Sequence, residues 1–362
     1  MKSDSILHAH EGYILQCTNS DYSSTPIHFL FPAIDNANKN NILASDNQKV
    51  GMKEYQSEFA HNRSWNLLGN PYPAFFDTRF FDYAAPFTVW NRNYQTYQAY
   101  SPIDDSYILR PSEAFFVQRP ADQSEITFSK EGRQHDKTVR TIEDTTTEEM
   151  DVLKARTQTT APANREVFNL LLSGYDATDR TRLVINPQAE MGYHAAHDAG
   201  KMISETTRTA QLYTIGDNDG LEYAINERPL GNGMISLGAI FAEPGTYTLS
   251  LTDGKTAILI DKLEGKQVEL DANGYTFYTK AGEIRDRFCI KVARGTTAIE
   301  NIADINASEK TSSTSIYTLD GKKVKGMKHG VGSMKNADAN LPAGTYIIQS
   351  GNKTRKVNTR TY

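Results

Sequence analysis

Several side chains in this sequence have the type and spacing to do chemistry. His194-Ala195-Ala196-His197-Asp198 sets two imidazoles three residues apart, which on a helix would face one way and could hold a metal ion. No Glu follows the first His and no third ligand accompanies the pair, so surface histidines on a polar loop explain the same residues. Asp217-Asn218-Asp219 offers oxygen ligands of the kind calcium takes, but the loop lacks a closing bidentate Glu and reads equally as a hairpin turn. Asp217 and Asp219 are therefore weak metal candidates, and no cofactor is expected. Asp104-Asp105, after Ser101-Pro102-Ile103, joins two carboxylates as acid–base catalysis requires, yet neighbours on a strand point to opposite sides and the composition is that of a turn. No Gly-Xaa-Ser-Xaa-Gly elbow, phosphate loop or dinucleotide fingerprint occurs, so the expectation is a protein that is not an enzyme. The strongest binding candidate is aromatic. Trp90, Tyr94, Tyr97 and Tyr100, with Tyr107, crowd one region beside Asn, Gln and Ser, a mixture on which sugar rings stack because their faces are apolar and their rims hydrogen-bond. Cross-strand packing accounts for the same aromatics.

The elements that must position these residues are strands. Ile27-His28-Phe29-Leu30-Phe31, Trp65-Asn66-Leu67-Leu68, Phe87-Thr88-Val89-Trp90, Ala114-Phe115-Phe116-Val117 and Ile126-Thr127-Phe128 are short apolar runs between Pro, Gly and Asn. Residues 52–59 fit a helical stripe as well as a strand and stay unassigned. Further on, Leu221-Glu222-Tyr223-Ala224-Ile225 and Tyr247-Thr248-Leu249-Ser250-Leu251 alternate with a period of two, so one face of each is buried. Gly216-Asp217-Asn218-Asp219-Gly220 favours a hairpin between Leu212-Tyr213-Thr214-Ile215 and Leu221. Ala257-Ile258-Leu259-Ile260 and Tyr275-Thr276-Phe277-Tyr278 continue the pattern. The expected class is all-β: tandem antiparallel β-sandwiches, jelly-roll or Ig-like, with a small C-terminal β-sandwich. Boundaries follow composition: a β-rich domain over 1–135, a Thr- and Glu-rich linker over 136–164, a β-sandwich over 165–295, a Ser/Thr-rich linker over 296–313 and a last β domain over 314–362.

Composition narrows the class. Of 362 residues, 38% are hydrophobic and 23% charged, a globular balance, and 19 Tyr and 15 Phe favour strands. The net charge of −5 argues against nucleic acid as a partner, although residues 299–362 carry ten Lys or Arg against five Asp or Glu. No run approaches the roughly 20 apolar residues of a transmembrane helix. The first eight residues have neither the apolar core nor the cleavage site of a signal peptide, and a strand, Gly12-Tyr13-Ile14-Leu15-Gln16-Cys17, begins almost at once. The sequence therefore predicts that upstream domains, with any export signal, precede residue 1. Cys17 and Cys289 are the two cysteines; pairing between them is left open, and alternation in Arg287-Phe288-Cys289-Ile290-Lys291-Val292 puts Cys289 on an outer face.

The last block carries a resemblance. Ile316-Tyr317-Thr318-Leu319-Asp320-Gly321-Lys322-Lys323-Val324 reads as strand, turn and strand, and Leu341-Pro342-Ala343-Gly344-Thr345-Tyr346-Ile347-Ile348 leads through Ser350-Gly351-Asn352 into Arg355-Lys356-Val357. Over roughly the last 50 residues this resembles the C-terminal sorting domains of Bacteroidetes cargo exported by type IX (Por) secretion. Asp320, Gly321, Leu341, Pro342, Gly344 and Tyr346 match its pattern; Ile302-Ala303-Asp304-Ile305-Asn306 stands where that family commonly opens on Pro-Asn-Pro. Trp65-Asn66-Leu67-Leu68-Gly69-Asn70-Pro71-Tyr72-Pro73 resembles an element of large Bacteroidetes surface proteins, and Tyr275-Thr276-Phe277 with Asp286-Arg287-Phe288 resembles the strand pair closing their last sandwich. In physical terms the first of these elements is a rigid corner, because Asn70 and Tyr72 each precede a proline. What the resemblance implies is the C-terminal part of an extracellular or outer-membrane surface protein, presenting upstream modules and engaging the export machinery through its tail. The alternative expectation is a β-sandwich that binds a glycan or host surface ligand.

Overall fold

The computed structural model describes residues 11–13, 46–139 and 164–292 and three strands within 315–359. Its contacts fall into two compact units, Met1–Val292 and Ala293–Tyr362. The fold is all-β: every regular element among the described residues is a strand or a single 3-10 turn.

The first block of the larger unit holds nine short strands: β1 (Gln48–Gly51), β2 (Trp65–Gly69), β3 (Phe75–Asp77), β4 (Phe87–Asn91), β5 (Thr96–Tyr100), β6 (Ile108–Leu109), β7 (Ala114–Gln118), β8 (Glu125–Phe128) and β9 (Arg133–Gln134). They form three sheets, β2-β7-β4-β5, β6-β3-β9 and β1-β8, all antiparallel. Such short strands bury little individually, and aromatics supply the shared core. Phe81 meets Phe128 edge-on at 4.8 Å, Phe76 lies 5.1 Å from Phe128, and Phe81 stacks on Phe115 at 5.7 Å. The corner after β2 is held from inside: Asn70 Nδ2 donates to the carbonyls of Ala74 and Arg110, and the Tyr72 hydroxyl donates to the Phe128 carbonyl at 2.9 Å. Residues 52–59 form no regular element; they lead into a 3-10 turn at Ala60–Asn62.

The second block is one sheet of eleven strands: β10 (Glu166–Gly174), β11 (Ala177–Ile185), β12 (Ala199–Gly200), β13 (Gln211–Ile215), β14 (Glu222–Arg228), β15 (Met234–Phe241), β16 (Gly245–Leu251), β17 (Ala257–Asp261), β18 (Lys266–Leu270), β19 (Tyr275–Thr279) and β20 (Gly282–Lys291). The order is β18-β17-β20-β15-β13-β14-β11-β10-β16-β19, with β12 attached to β14. One pair departs from the expected antiparallel pattern: β11 and β14 run parallel, with Arg182 opposite Ile225. The sheet curls so that its strands share a single aliphatic core, from Leu170, Leu172 and Leu183 to Leu237, Leu259 and Ile290. Arg287 pins the curl across the seam, because its guanidinium binds Asp261 of β17 at 2.7 Å and the Tyr278 carbonyl of β19 at 3.2 Å. Tyr275 donates to the same Asp261 at 3.0 Å.

Alternation placed Cys289 on the outer side of β20, and it is absent from the aliphatic core, but it is not solvent-facing: it is 3% exposed, and burial pushes its thiol up. Cys17 lies outside the described residues. The two blocks, expected as separate domains over 1–135 and 165–295, cluster as one compact unit, and residues 140–163 of the expected linker lie outside the described residues.

The smaller unit contains β21 (Ser315–Thr318), β22 (Gly344–Ser350) and β23 (Lys353–Thr359) in one antiparallel sheet, β21-β22-β23. The hairpin expected around residue 351 has Ser350 opposite Lys353 and Gly344 opposite Thr359. The expected linker 296–313 lies outside the described residues.

Candidate functional site

The two blocks of the larger unit meet at a junction where a cluster of largely buried ion pairs crosses from one to the other. On the first block it is built by the turn after β5. The backbone N–H groups of Asp104 and Asp105 both donate to the Ser101 carbonyl, and Asp105 Oδ2 accepts the Ser101 N–H at 2.7 Å. This tight turn removes the opposed directions that a strand would impose and lets both carboxylates reach the second block. There, Arg180 and Arg182 project from one face of β11, and Asn169 of β10 lies directly opposite Arg182.

The contacts are bidentate. Arg165 grips Asp104 at 2.5 and 2.7 Å and also donates to Glu227 of β14 at 2.8 Å. Arg182 grips Asp105 at 2.6 and 2.7 Å while its Nε donates to Asn169 at 2.8 Å. Arg180 donates to Asp105 at 3.0 Å and to the Ala99 carbonyl at 2.8 Å, with its guanidinium 5.0 Å from the Tyr100 ring centre. Glu227 is completed by Asn186, which donates to it at 2.6 Å. Three carboxylates thus face three guanidiniums whose fork geometry matches them. Burial alone would push the Asp105 carboxyl up, but Arg180 and Arg182 outweigh it and hold that carboxyl below the usual range. A cavity of about 640 Å³ borders this ionic seam, lined also by Asp253 and Lys255.

A second cavity, of about 580 Å³, opens elsewhere at the same junction, between residues 54–64 and 118–122 of the first block and 193–196 of the second. Its walls are preorganised. Gln118 Nε2 donates to the carbonyls of Ala60 and Arg63 at 2.6 and 2.8 Å, and its Oε1 accepts the Tyr193 hydroxyl across the junction. The Tyr55 N–H donates to Ser64 Oγ at 3.2 Å, while its ring is 50% exposed. Phe59, 59% exposed, lies 5.7 Å from His61, which meets Tyr193 edge-on at 6.2 Å. The loop carrying Tyr193 is tied to β14 by Asp198, whose two carboxyl oxygens accept the His194 N–H at 2.7 Å and the Glu227 N–H at 2.8 Å. Burial pushes the Asp198 carboxyl up to about 8 despite those two donors. Burial pulls His197 down from its ordinary value, against the opposing pull of Glu227.

The residues singled out from sequence are dispersed by this architecture. Trp90 and Tyr97 are a cross-strand pair on one face of β4 and β5, with ring centres 4.7 Å apart and Trp90 40% exposed. Tyr100 is three positions from Tyr97 and so takes the other face. There it stacks on Phe87 at 5.8 Å and approaches Tyr107 at 4.5 Å, as a packing residue rather than a member of a binding platform. Tyr94 contributes its carbonyl, which accepts from Thr207 and Thr209 of the second block. Asp217 pairs with Arg228 at 2.5 Å; Asp219 accepts the Leu221 N–H at 3.0 Å and the Tyr223 hydroxyl at 2.5 Å, as expected of a turn. His194 and His197 stack at 5.1 Å, and no group of three His, Cys, Asp or Glu suited to a metal ion occurs among the described residues. Of the sorting-pattern residues, Gly344 and Tyr346 lie in β22, whereas Asp320, Gly321, Leu341 and Pro342 lie outside the described residues.

Sequence reasoning missed Arg165, Arg180 and Arg182 as partners of Asp104 and Asp105, and Tyr55 and Tyr193 as cavity walls. The available signal for the first was Arg-Xaa-Arg on a strand, which puts two guanidiniums on one face.

The family described as Domain of unknown function (DUF8693) matches residues 75–292. No curated protein and no solved structure matches the chain.

Proposed function

The chain belongs to the DUF8693 family, and we propose that it is a non-catalytic scaffold from the C-terminal portion of a bacterial cell-surface or secreted protein. In this reading the unit ending at Val292 presents upstream modules, and the unit from Ala293 carries the export and anchoring signal. The observation that carries the reading is the division of the chain at Val292. On one side, two β blocks are joined through buried bidentate ion pairs. On the other is a small sheet with its own strand pairing and a basic composition.

A reporter behind a signal peptide, fused to residues 299–362, tests the sorting role in a type IX-competent host. Surface display of the reporter is the expected result; retention in the periplasm rejects the proposal.

Glycan binding through the aromatic region is the second reading, and the exposed Trp90 beside Tyr97 favours it. A glycan-array signal abolished by Trp90→Ala would support it, and a signal untouched by that change would remove it.

A further inference from the structure

We infer that the cavity between residues 54–64, 118–122 and 193–196 is a binding site for a short neutral oligosaccharide. This is independent of the scaffold reading and uses residues other than Trp90 and Tyr97. At about 580 Å³ the cavity has the size of a small-molecule site, and it sits where two packed blocks meet, a frequent location for such sites.

Its chemistry selects the ligand class. Tyr55 lines the cavity with an exposed ring held at its backbone. Large exposed aromatics beside a concavity offer flat apolar faces to the C–H face of a sugar. The rim carries Glu54, paired with Arg119 at 3.4 Å, Arg63, which also donates to the Ser57 carbonyl, and the unpaired Asp122, two charges of each sign. A sugar hydroxyl both donates and accepts, so this mixed rim suits it, and the balanced charge gives a phosphate or sulfate no advantage. The four ionic side chains disfavour a lipid tail. An extended peptide that docks by adding a strand needs a free sheet edge, whereas the walls here, apart from Gln118 at the end of β7, are irregular segments.

The contrast with the seam cavity supports the choice. There, the guanidiniums of Arg165, Arg180 and Arg182 are already engaged by carboxylates and carbonyls of the protein itself. At the aromatic cavity Arg119 pairs with Glu54 at 3.4 Å and Arg63 donates to the Ser57 carbonyl at 2.6 Å, but Asp122 is exposed and its carboxylate has no hydrogen bond or ion pair among the described residues, so it is the charge free for a ligand.

The test is to screen the full chain on an array of neutral oligosaccharides, including gluco-, manno-, galacto- and xylo-configured series, and then to titrate the best binder by calorimetry. Tyr55→Ala is expected to weaken binding by roughly tenfold, with loss of a stacking surface. Asp122→Asn should weaken it several-fold, Trp90→Ala should change it less than twofold, and raising NaCl from 0.15 to 0.5 M should leave it unchanged. Tyr55 and Asp122 are exposed, so both variants are expected to fold, which a thermal melt verifies. The inference is overturned by an array without neutral binders, by signals confined to sulfated or uronic-acid glycans when these are added, or by binding that Tyr55→Ala leaves intact and Trp90→Ala removes.

Discussion

The two cavities at the block junction look alike in size and differ in what their polar groups are doing. At the seam, Asp104, Asp105 and Glu227 face Arg165, Arg180 and Arg182, and each ion is matched by another from within the protein. At the aromatic cavity the buried contacts that fix the walls are largely neutral, Gln118 to backbone carbonyls and Tyr193 to Gln118, while rings and charges stand exposed. A cluster of charge is therefore a poor guide to a ligand site here. The charged region fixes how two blocks sit together, and the exposed aromatic region has groups left over for something else.

The largest effect should come from breaking the seam. Asp105→Ala leaves Arg180 partly buried and Arg182 fully buried without their main carboxylate, Arg182 keeping only Asp104 at 3.6 Å, and unfolding in urea should show a loss of roughly 3–5 kcal/mol. A loss below about 1 kcal/mol would mean that the ions do not hold the blocks. The same pair gives a pH dependence: because the folded-state pKa of Asp105 is depressed, its contribution is present above the ordinary carboxylate value of 3.8 and disappears as pH falls through the folded value.

Next comes Asp198, with the opposite sign. Its folded-state carboxyl keeps its proton to about pH 8, whereas the unfolded chain releases it near 3.8. The folded state therefore binds more protons across that window, and stability should fall as pH rises from about 4 to about 8. His197 acts the other way below its ordinary 6.5, since burial lowers its pKa and its contribution is lost as pH falls. Urea midpoints for His197→Gln measured at pH 5, 6.5 and 8 isolate the Asp198 slope, which should exceed about 1 kcal/mol over that range. Adding Asp198→Asn should flatten it; a slope unchanged by Asp198→Asn would assign the pH dependence elsewhere.

Smaller still is Tyr193→Phe, which removes the hydroxyl that ties the second block's loop to Gln118. A cost of about 1 kcal/mol is expected in chemical denaturation. If it matched the cost of Asp105→Ala, the contrast between the two regions would fail. Smallest of all, Tyr55→Ala should shift stability by less than about 0.5 kcal/mol, since its ring is exposed. A large shift would make Tyr55 a packing residue.

Much of the architecture was legible along the chain. The alternation of Tyr247, Leu249 and Leu251 with Thr248 and Ser250 between them placed their buried face correctly, and Gly216–Gly220 supplied the turn that brings Thr214 opposite Tyr223. The splitting of the aromatic group was legible as well, because Tyr97 and Tyr100 differ by an odd number of positions on one strand. Asp104 and Asp105 were visible as a turn.

By itself, then, the sequence determined many of the strands, the one buried face of β16 and the tail hairpin, set by period-two patterning and turn residues over a few positions. By contrast β14, expected to bury one face, is buried on both because neighbours pack against each side. Only the tertiary structure decided that the two β blocks form one unit and that Arg165 and Arg182 meet carboxylates 61 and 77 positions away. The physical reason is range. A side chain's direction follows from its local backbone, but the partner of a buried charge is whichever opposite charge the folded sheets deliver to it, and that delivery depends on how distant strands pair.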